Sequence, residues 1–201
     1  MSAAVVAGNV YDKYGSRNPV ARRLMDGFLG AMRELYDARP DETVVEIGCG
    51  EGELLSRLGA WRPARRHFGF DVSREILEQA RRHPGITVAL QSAEALALAD
   101  RSADVVIASE VLEHLTDPEA ALREIARVAR RRVILSVPRE PHWRISHVLA
   151  GRDIARLGNT PGHINHWSAR SFASLVSEFA TVVNVRRPFP WTVVMTRKRP
   201  R

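Results

Sequence analysis

Two hydrophobic periods alternate along this chain, one typical of strands and one typical of helices. Residues 44–47 form a short apolar, β-branched stretch with one acid, and Leu54, Leu55 and Leu58 beyond it recur at helical spacing. Glycines separate the stretch from the leucines. We therefore predict a buried strand that runs through a glycine loop directly into a helix.

The same periods predict an α/β chain. A helical pattern begins at Pro19, and proline suits the first turn of a helix. Apolar stretches predict strands over residues 67–71, 86–90, 104–109, 132–137, 181–185 and 191–196. Helical patterns predict helices over residues 74–82, 117–129 and 168–179. This alternation favours a mostly parallel sheet, and the short turn between the last two strands predicts an antiparallel hairpin at its end.

The spacing of the glycines bears on which ligand the loop binds. Glycines let the backbone turn sharply and let a ligand approach the free N–H groups at the helix start. A dinucleotide fingerprint has its third glycine three positions after the second, but Glu53 stands there, and Gly52 comes two positions after Gly50. The acid would also repel a pyrophosphate. We therefore expect the loop to bind a ligand other than NAD.

A second acid, Asp71, ends the predicted strand 67–71, nineteen residues after Gly52. An acid at the tip of this strand can accept hydrogen bonds from both hydroxyls of a ribose. Asp71 can alternatively cap the helix that begins near Ser73, as Asp and Ser commonly do. The glycine loop before it favours the ribose role.

Two motifs carry a family resemblance. The apolar pair 44–45, Glu46 and the glycines at 48, 50 and 52 resemble the first motif of class I S-adenosylmethionine-dependent methyltransferases. The Ser-Glu-Val-Leu-Glu-His-Leu run at 109–115 resembles the segment after the fourth strand in the small-molecule, ubiquinone-biosynthesis type. The resemblance covers about residues 40 to 137. It implies a Rossmann-like methyltransferase fold, with a seven-stranded, mostly parallel sheet, an antiparallel strand near its end and helices on both faces.

The resemblance also implies S-adenosyl-L-methionine as the cofactor. Ser92 stands where the family often has an acid that binds the adenine amine, so adenine contact is assigned to Ser92 and the Ala93 backbone, with Glu94 as a substitute acceptor. The expected cofactor-binding residues are Glu46, Gly48, Cys49, Gly50, Gly52, Asp71, Val72, Ser92, Ala93, Glu94, Ser109 and Glu110.

Residues 138–167 break the alternation of strands and helices and are rich in Pro, Trp and His. A long insertion in a compact domain is usually functional, so we predict that this segment lies on the acceptor side. In the family, an N-terminal segment often folds over the cofactor, which gives residues 1–38 the role of a lid; packing of its tyrosines against the sheet edge is the alternative. The expected acceptor-binding residues are Tyr11, Tyr14, Arg139, Trp143, His163 and Trp167, with Arg139 for an anionic group.

Two histidines, His114 and His166, are the candidates for catalysis. A general base is needed only where the acceptor loses a proton, and imidazole titrates near neutrality. A structural role in its loop is the alternative for His114. His163 and His166, together with another histidine of the insertion, raise the question of a zinc site. No cysteine or carboxylate stands nearby as a clear third ligand, so we predict no metal.

The charge, cysteine content and apolar runs of the chain limit the functions and the location that we expect. The 30 basic residues exceed the 23 acidic ones, but they are mostly arginines spread along the chain, which favours solvated faces over a nucleic-acid patch. A single cysteine, Cys49, rules out an internal disulfide and fits a reducing compartment. We find no apolar run of membrane-spanning length and no leader-like N-terminus. We therefore expect residues 1–201 to form one cytoplasmic methyltransferase domain without a membrane partner.

Three functions fit these observations. The first is methyl transfer from S-adenosylmethionine to a small-molecule acceptor. The alternatives are an RNA or protein methyltransferase, supported by charge alone, and a non-enzymatic module that senses the cofactor. The aromatic and histidine-rich insertion favours the first, since a sensor needs no acceptor pocket. The sequence leaves open the acceptor, the atom that is methylated and the oligomeric state.

Overall fold

The computed structural model describes residues 14–197, and the elements below are those of this range. The strands are β1 (Thr43–Ile47), β2 (Arg66–Asp71), β3 (Ile86–Leu90), β4 (Ala103–Ser109), β5 (Ala129–Pro138), β6 (Thr181–Arg186) and β7 (Trp191–Arg197). The α-helices are α1 (Pro19–Leu35), α2 (Glu53–Trp61), α3 (Arg74–Ala80), α4 (Pro118–Val128), α5 (His142–Leu149) and α6 (Ala169–Phe179). Short 3₁₀ turns cover Leu112–His114 and Ile154–Arg156. None of the helices between residues 14 and 197 combines the length and apolarity needed to cross a membrane.

The strands form one sheet in the order β3-β2-β1-β4-β5-β7-β6. Strands β1 to β5 are parallel to one another, whereas β7 lies between β5 and β6 and is antiparallel to both. This arrangement confirms the predicted seven-stranded, mostly parallel sheet with an antiparallel strand near its end. The strand order reverses between β1 and β4, and sheets of this kind bind ligands in the crevice at that reversal.

Helices cover both faces of the sheet, as predicted. Side chains of a strand point alternately to the two faces. In β4, Val106 and Ala108 join a cluster with α4 and α6, while Val105 and Ile107 join a cluster with α1 and α2. All four are fully buried. The central strands are therefore apolar on both sides, which explains their continuous hydrophobic sequences.

Helix starts follow the sequence signals. The Asn18 side chain accepts hydrogen bonds from the backbone of Val20 and Ala21, and Pro19 begins α1. Ser168 and Ser171 form a capping box at the start of α6. These polar side chains satisfy N–H groups that the first helical turn leaves unpaired, so the predicted starts at Pro19 and Ser168 agree with the structure.

Segment 138–167 is more regular than the sequence predicts, because it contains α5. Pro141 stands at the helix start and offers no side-chain cap, so the usual start signal is missing. The indole of Trp143 donates a hydrogen bond to the Thr160 hydroxyl at 2.9 Å, and His147 Nδ1 lies 3.0 Å from the carboxylate of Asp153. These contacts fold the segment back on itself beside the sheet.

Two predicted boundaries also differ from the structure. The predicted helix 74–82 ends at Ala80, and the predicted strand 132–137 is longer and begins at Ala129. The longer β5 is held at its start by ion pairs of Arg130 with Asp104 and of Arg132 with Glu42. Both acids are buried, so the arginines must stay close to the sheet.

Leu58→Ala should lower the free energy of unfolding by about 2 to 5 kcal/mol, because the side chain is fully buried and its loss leaves a cavity. Leu149→Ala is the matched control: this helical leucine is 83% exposed, and its loss should change stability by less than about 0.5 kcal/mol. Urea denaturation measures both variants. If the two substitutions lower the free energy of unfolding equally, the packing of α2 against the sheet is contradicted.

Candidate active site

A cavity of about 640 Å³ opens at the carboxyl ends of β1 and β4, where the strand order reverses. Sites for small ligands typically measure about 300 to 1,000 Å³. The walls come from the glycine loop, the ends of β2 and β4, the start of α1, and α5 with the β6–β7 turn. The cavity thus connects the predicted cofactor loop with the predicted acceptor segment.

The glycine loop turns through left-handed backbone at Gly48, Gly50 and Gly52, with φ of 67°, 52° and 81°. A Cβ added at Gly48 would lie 2.3 Å from a methyl of Val111, and one at Gly52 would lie 2.9 Å from a methyl of Ile86. Nothing lies within 4 Å of the corresponding point at Gly50, which faces the cavity. Gly48 and Gly52 therefore serve packing, and Gly50 leaves an opening through which a ligand can approach the backbone.

Asp71 holds the glycine loop from the end of β2. Its Oδ2 accepts a hydrogen bond from Gly50 N at 3.0 Å, and its Oδ1 accepts one from Ser73 N at 3.0 Å. Ser73 is the N-cap of α3. Asp71 therefore orders the turn before α3 and also lines the cavity. The ribose role stays a prediction.

Glu46 is a buried acid in β1 beneath the glycine loop. Only 2% of the residue is exposed, and no side chain or backbone group of residues 14–197 forms a hydrogen bond with Oε2. The pKa of Glu46 is raised to about 8, chiefly by burial and also by the charge of Asp71, against the lowering effect of a hydrogen bond from the Leu55 backbone. A cation in the cavity would therefore favour the charged form of Glu46.

Residues between 14 and 25 line one side of the cavity. The guanidinium of Arg57 lies 5.4 Å from the ring centroid of Tyr14. Burial, with the negative charges of Glu46 and Glu110, raises the pKa of the Tyr14 hydroxyl, so Tyr14 stays protonated. Residues at the start of α1 also line the cavity, among them Ala21, Leu24 and Met25. Tyr11, predicted beside Tyr14, lies outside the described residues.

A sharp turn follows β4. Glu110 has a φ of 59°, which is uncommon for a residue other than glycine, and its N–H donates to Ser136 O at 3.0 Å. The turn directs the chain across the mouth of the cavity and into the 3₁₀ turn Leu112–His114. Strained backbone of this kind concentrates at functional sites.

Glu113, His114 and His163 converge where the loop after β4 meets segment 138–167. One side-chain donor atom from each lies within 4.8 Å of the other two, and the two imidazoles meet edge to face with centroids 4.9 Å apart. Sequence reasoning named both histidines but missed Glu113, because only the fold brings it to His163. It also missed the wall residues of α5 other than Trp143 and those of the β6–β7 turn. The helical spacing of apolar residues in α5 was the available signal, and the neighbouring prolines obscured it.

Most of the predicted site residues line the cavity. Those from the cofactor set are Glu46, Gly48, Cys49, Gly50, Asp71, Val72, Ser92, Ala93, Ser109 and Glu110. Those from the acceptor and catalytic sets are Tyr14, Trp143, His163 and His114. Burial raises the pKa of the Cys49 thiol, which agrees with its interpretation as a small loop residue and not a nucleophile.

Five predicted residues do not line the cavity: Gly52, Glu94, Arg139, His166 and Trp167. The Glu94 carboxylate accepts a hydrogen bond from Asp117 N at 3.3 Å, and the Trp167 ring packs against Phe172 at 5.7 Å between centroids. His166 Nδ1 lies 4.0 Å from the carboxylate of Glu140. The geometry gives no support to the acceptor roles of Arg139 and Trp167 or to catalysis by His166.

Comparisons with known proteins bear on the same region. A family model described as a methyltransferase domain matches residues 45–137. The chain is similar to a ubiquinone biosynthesis O-methyltransferase of Methylococcus capsulatus, at 37% identity over 43% of this chain and 38% of the relative. It is also similar to an uncharacterized 37.1 kDa protein in transposon TN4556 of Streptomyces fradiae, at 38% identity over 58% of this chain and 35% of the relative. The chain thus spans little more than a third of these relatives.

Among solved structures, the fold is similar to that of magnesium protoporphyrin IX methyltransferase from Synechocystis with bound S-adenosylhomocysteine. The TM-score is 0.67 at 19% identity, and the match covers 92% of this chain and 90% of the other. This likeness concerns the fold.

Glu46→Gln should remove a pH dependence of stability. The folded pKa of about 8 lies above the ordinary value of 4.5, so the folded protein keeps a proton that the unfolded chain loses. Stability should therefore fall as pH rises from about 4.5 to about 8. Without ligand, the free energy of unfolding of the wild type should fall by about 2 to 5 kcal/mol more than that of the variant over this pH window. Denaturant unfolding of both proteins at several pH values measures the difference. If stability changes with pH equally in the two proteins, the raised pKa of Glu46 is contradicted.

Proposed function

We propose that this chain, whose residues 45–137 match a methyltransferase domain, is a class I S-adenosylmethionine-dependent methyltransferase that transfers the cofactor's methyl group to a small-molecule acceptor. The observation that carries the proposal is one continuous cavity that joins the buried carboxyl of Glu46 to a wall of aromatic side chains. Because the chain spans little more than a third of its curated relatives, the activity is our proposal and not a property taken from them.

The cofactor half of the cavity fits S-adenosylmethionine. When bound, the cofactor supplies a methyl group on a sulfonium, so the protein's tasks are alignment and the exclusion of water. Glu46 carries a buried oxygen without a hydrogen-bond partner among residues 14–197, which suits the ligand's ammonium group. Asp71 suits the ribose hydroxyls, and Ser92 with the Ala93 backbone suits the adenine.

The acceptor half fits a small aromatic or conjugated molecule. Trp143 and Trp191 are nearly fully buried with ring centroids 5.6 Å apart, and Phe189 and His163 extend the same wall. Aromatic walls with a few polar groups are typical of sites for small molecules. The O-methyltransferase activity named for the Methylococcus relative supports a hydroxyl oxygen as the methylated atom.

His114 has the chemistry of a group that handles the acceptor proton. Its Nδ1 lies 3.0 Å from Gly162 O, and a carbonyl oxygen can only accept, so Nδ1 donates. In the neutral ring, Nε2 then keeps its lone pair. This lone pair can take the proton of an acceptor hydroxyl, provided that no other group binds it.

The function is tested by measuring S-adenosylhomocysteine release with three acceptor classes: hydroxylated aromatic compounds, total RNA and a protein extract. We expect turnover with members of the first class alone. Release with RNA or protein would support the alternative assignment to a macromolecular substrate. Cofactor binding without turnover on any class would support a sensing module and overturn the proposal.

Asp71→Ala should weaken S-adenosylhomocysteine binding by about 10- to 100-fold, because it removes charge-assisted hydrogen bonds worth about 1.5 to 3 kcal/mol. Asp117→Ala is the matched control, since Asp117 caps α4 and does not line the cavity. Calorimetric titration measures both variants. An unchanged dissociation constant for Asp71→Ala would reduce Asp71 to a structural cap.

Gly50→Val should abolish cofactor binding while the protein remains folded, because the new side chain would occupy the opening of the loop. Gly85→Val is the matched control. Gly85 also has positive φ and no neighbour within 4 Å of an added Cβ, but it does not line the cavity. Circular dichroism and binding are measured together. Equal loss of binding in both variants would show that backbone strain, and not the blocked opening, is responsible.

A further inference from the structure

We infer that Glu113, His114 and His163 bind a divalent transition-metal ion such as Zn²⁺ at the acceptor end of the cavity. Within residues 14–197 these three residues bring one donor atom each to within 4.8 Å of the others, and all three line the cavity. Glu113 and His163 are buried, with 1% and 7% of each residue exposed. One buried carboxylate together with two imidazoles is a ligand set that proteins use for zinc.

The backbone holds the two segments of this site together. Glu113 O accepts hydrogen bonds from Ile164 N at 2.9 Å and from Asn165 N at 3.1 Å. The Asn165 side chain donates to Leu112 O at 3.1 Å and to Leu115 O at 2.7 Å. The loop that carries Glu113 and His114 is thus fixed against the residues that flank His163. A metal site requires such preorganised ligands.

The hydrogen bond of His114 suits metal binding as well. Histidines that bind metals almost always donate the other ring N–H to a carbonyl or a carboxylate, which fixes the ring and its tautomer. His114 Nδ1 donates to Gly162 O in this way, and Nε2 keeps the lone pair. This contact is independent of the convergence of the three side chains and points to the same ligand.

The choice of ion follows from the donor atoms. Imidazole suits Zn²⁺ and other transition metals, whereas Mg²⁺ and Ca²⁺ prefer sets of oxygen ligands. Bonds of about 2.0 to 2.2 Å place tetrahedral ligands about 3.4 Å apart. The donor atoms now lie within 4.8 Å of one another, and small rotations of the side chains would shorten these distances to that value. Three protein ligands leave a fourth position that opens to the cavity.

The role of the ion rests on the proposed function. An acceptor hydroxyl bound at the open position would lose its proton to solvent more readily, since a bound Zn²⁺ lowers the pKa of water from 15.7 to about 7. The acceptor oxygen then forms a bond to the methyl carbon as the carbon–sulfur bond breaks. The products are the methyl ether, S-adenosylhomocysteine and the released proton. With the ion bound, the Nε2 lone pair of His114 is a metal ligand and does not take the acceptor proton, so the ion replaces the general base described above.

The test uses the full chain, stripped with a chelator and titrated with Zn²⁺ alone in a calorimeter. We expect one ion per chain. His163→Ala and Glu113→Gln should each weaken binding by more than about 100-fold, since loss of outer partners alone costs about 10- to 100-fold. His83→Ala is the matched control, because His83 also stands beside a glutamate, with Nε2 3.7 Å from Glu53, but does not line the cavity.

Cobalt substitution supplies a second readout, since visible bands of Co²⁺ report its coordination by nitrogen and oxygen. Circular dichroism confirms that each variant is folded, and His163→Ala serves if Glu113→Gln does not fold. No binding by wild type, or equal binding by wild type and His163→Ala, would overturn the site. Zinc binding without methyl transfer on any acceptor would leave the site standing and contradict only the proposed function.

Discussion

The parallel pairing of β1 with β4 is the constraint on which the site depends. Ile47 pairs with Ala108, so the glycine loop and the loop after β4 leave the sheet side by side. Their contact is close enough that Gly48 has no room for a side chain beside Val111. The pairing of Ile47 with Phe70 sets Asp71 beside the same loop. A shift of either register would separate groups that must meet around one ligand.

The charged residues that line the cavity are mainly acidic, although the chain as a whole is positively charged. The chain carries a formal net charge of +7, yet six acids line the cavity: Glu46, Glu51, Glu53, Asp71, Glu110 and Glu113. Gathering carboxylates in a partly buried space is unfavourable unless they share protons or meet cations. The sulfonium and ammonium of the proposed cofactor would supply positive charge at one end of the cavity, and the inferred metal ion would supply it at the other.

Sequence reasoning predicted the parts of the fold in which a local pattern determines the structure. The glycine loop, Asp71 at a strand end and the run after β4 each belong to one strand–turn–helix unit, and the alternation of these units predicted a mostly parallel sheet. It could not predict which distant segments meet in the fold. Arg139, His166 and Trp167 were assigned to the acceptor side by position along the chain, but Trp167 packs against Phe172 in the cluster of α4 and α6. The prediction of no metal considered only neighbours in sequence, and Glu113 reaches His163 through the fold.

The hydrogen bonds between the loop after β4 and residues 162–165 give the two ends of the cavity different dynamics. The cofactor end is built on the central strands, so it should open only when the whole domain unfolds, whereas the bond from His114 to Gly162 joins two segments that lie outside the strands of the sheet. Peripheral units of this kind open at a smaller free energy than the core and can do so repeatedly in the native state. We expect amides near Ile164 to exchange with solvent hydrogen faster than those of β1 and β4. An acceptor could then enter and leave while the cofactor stays bound.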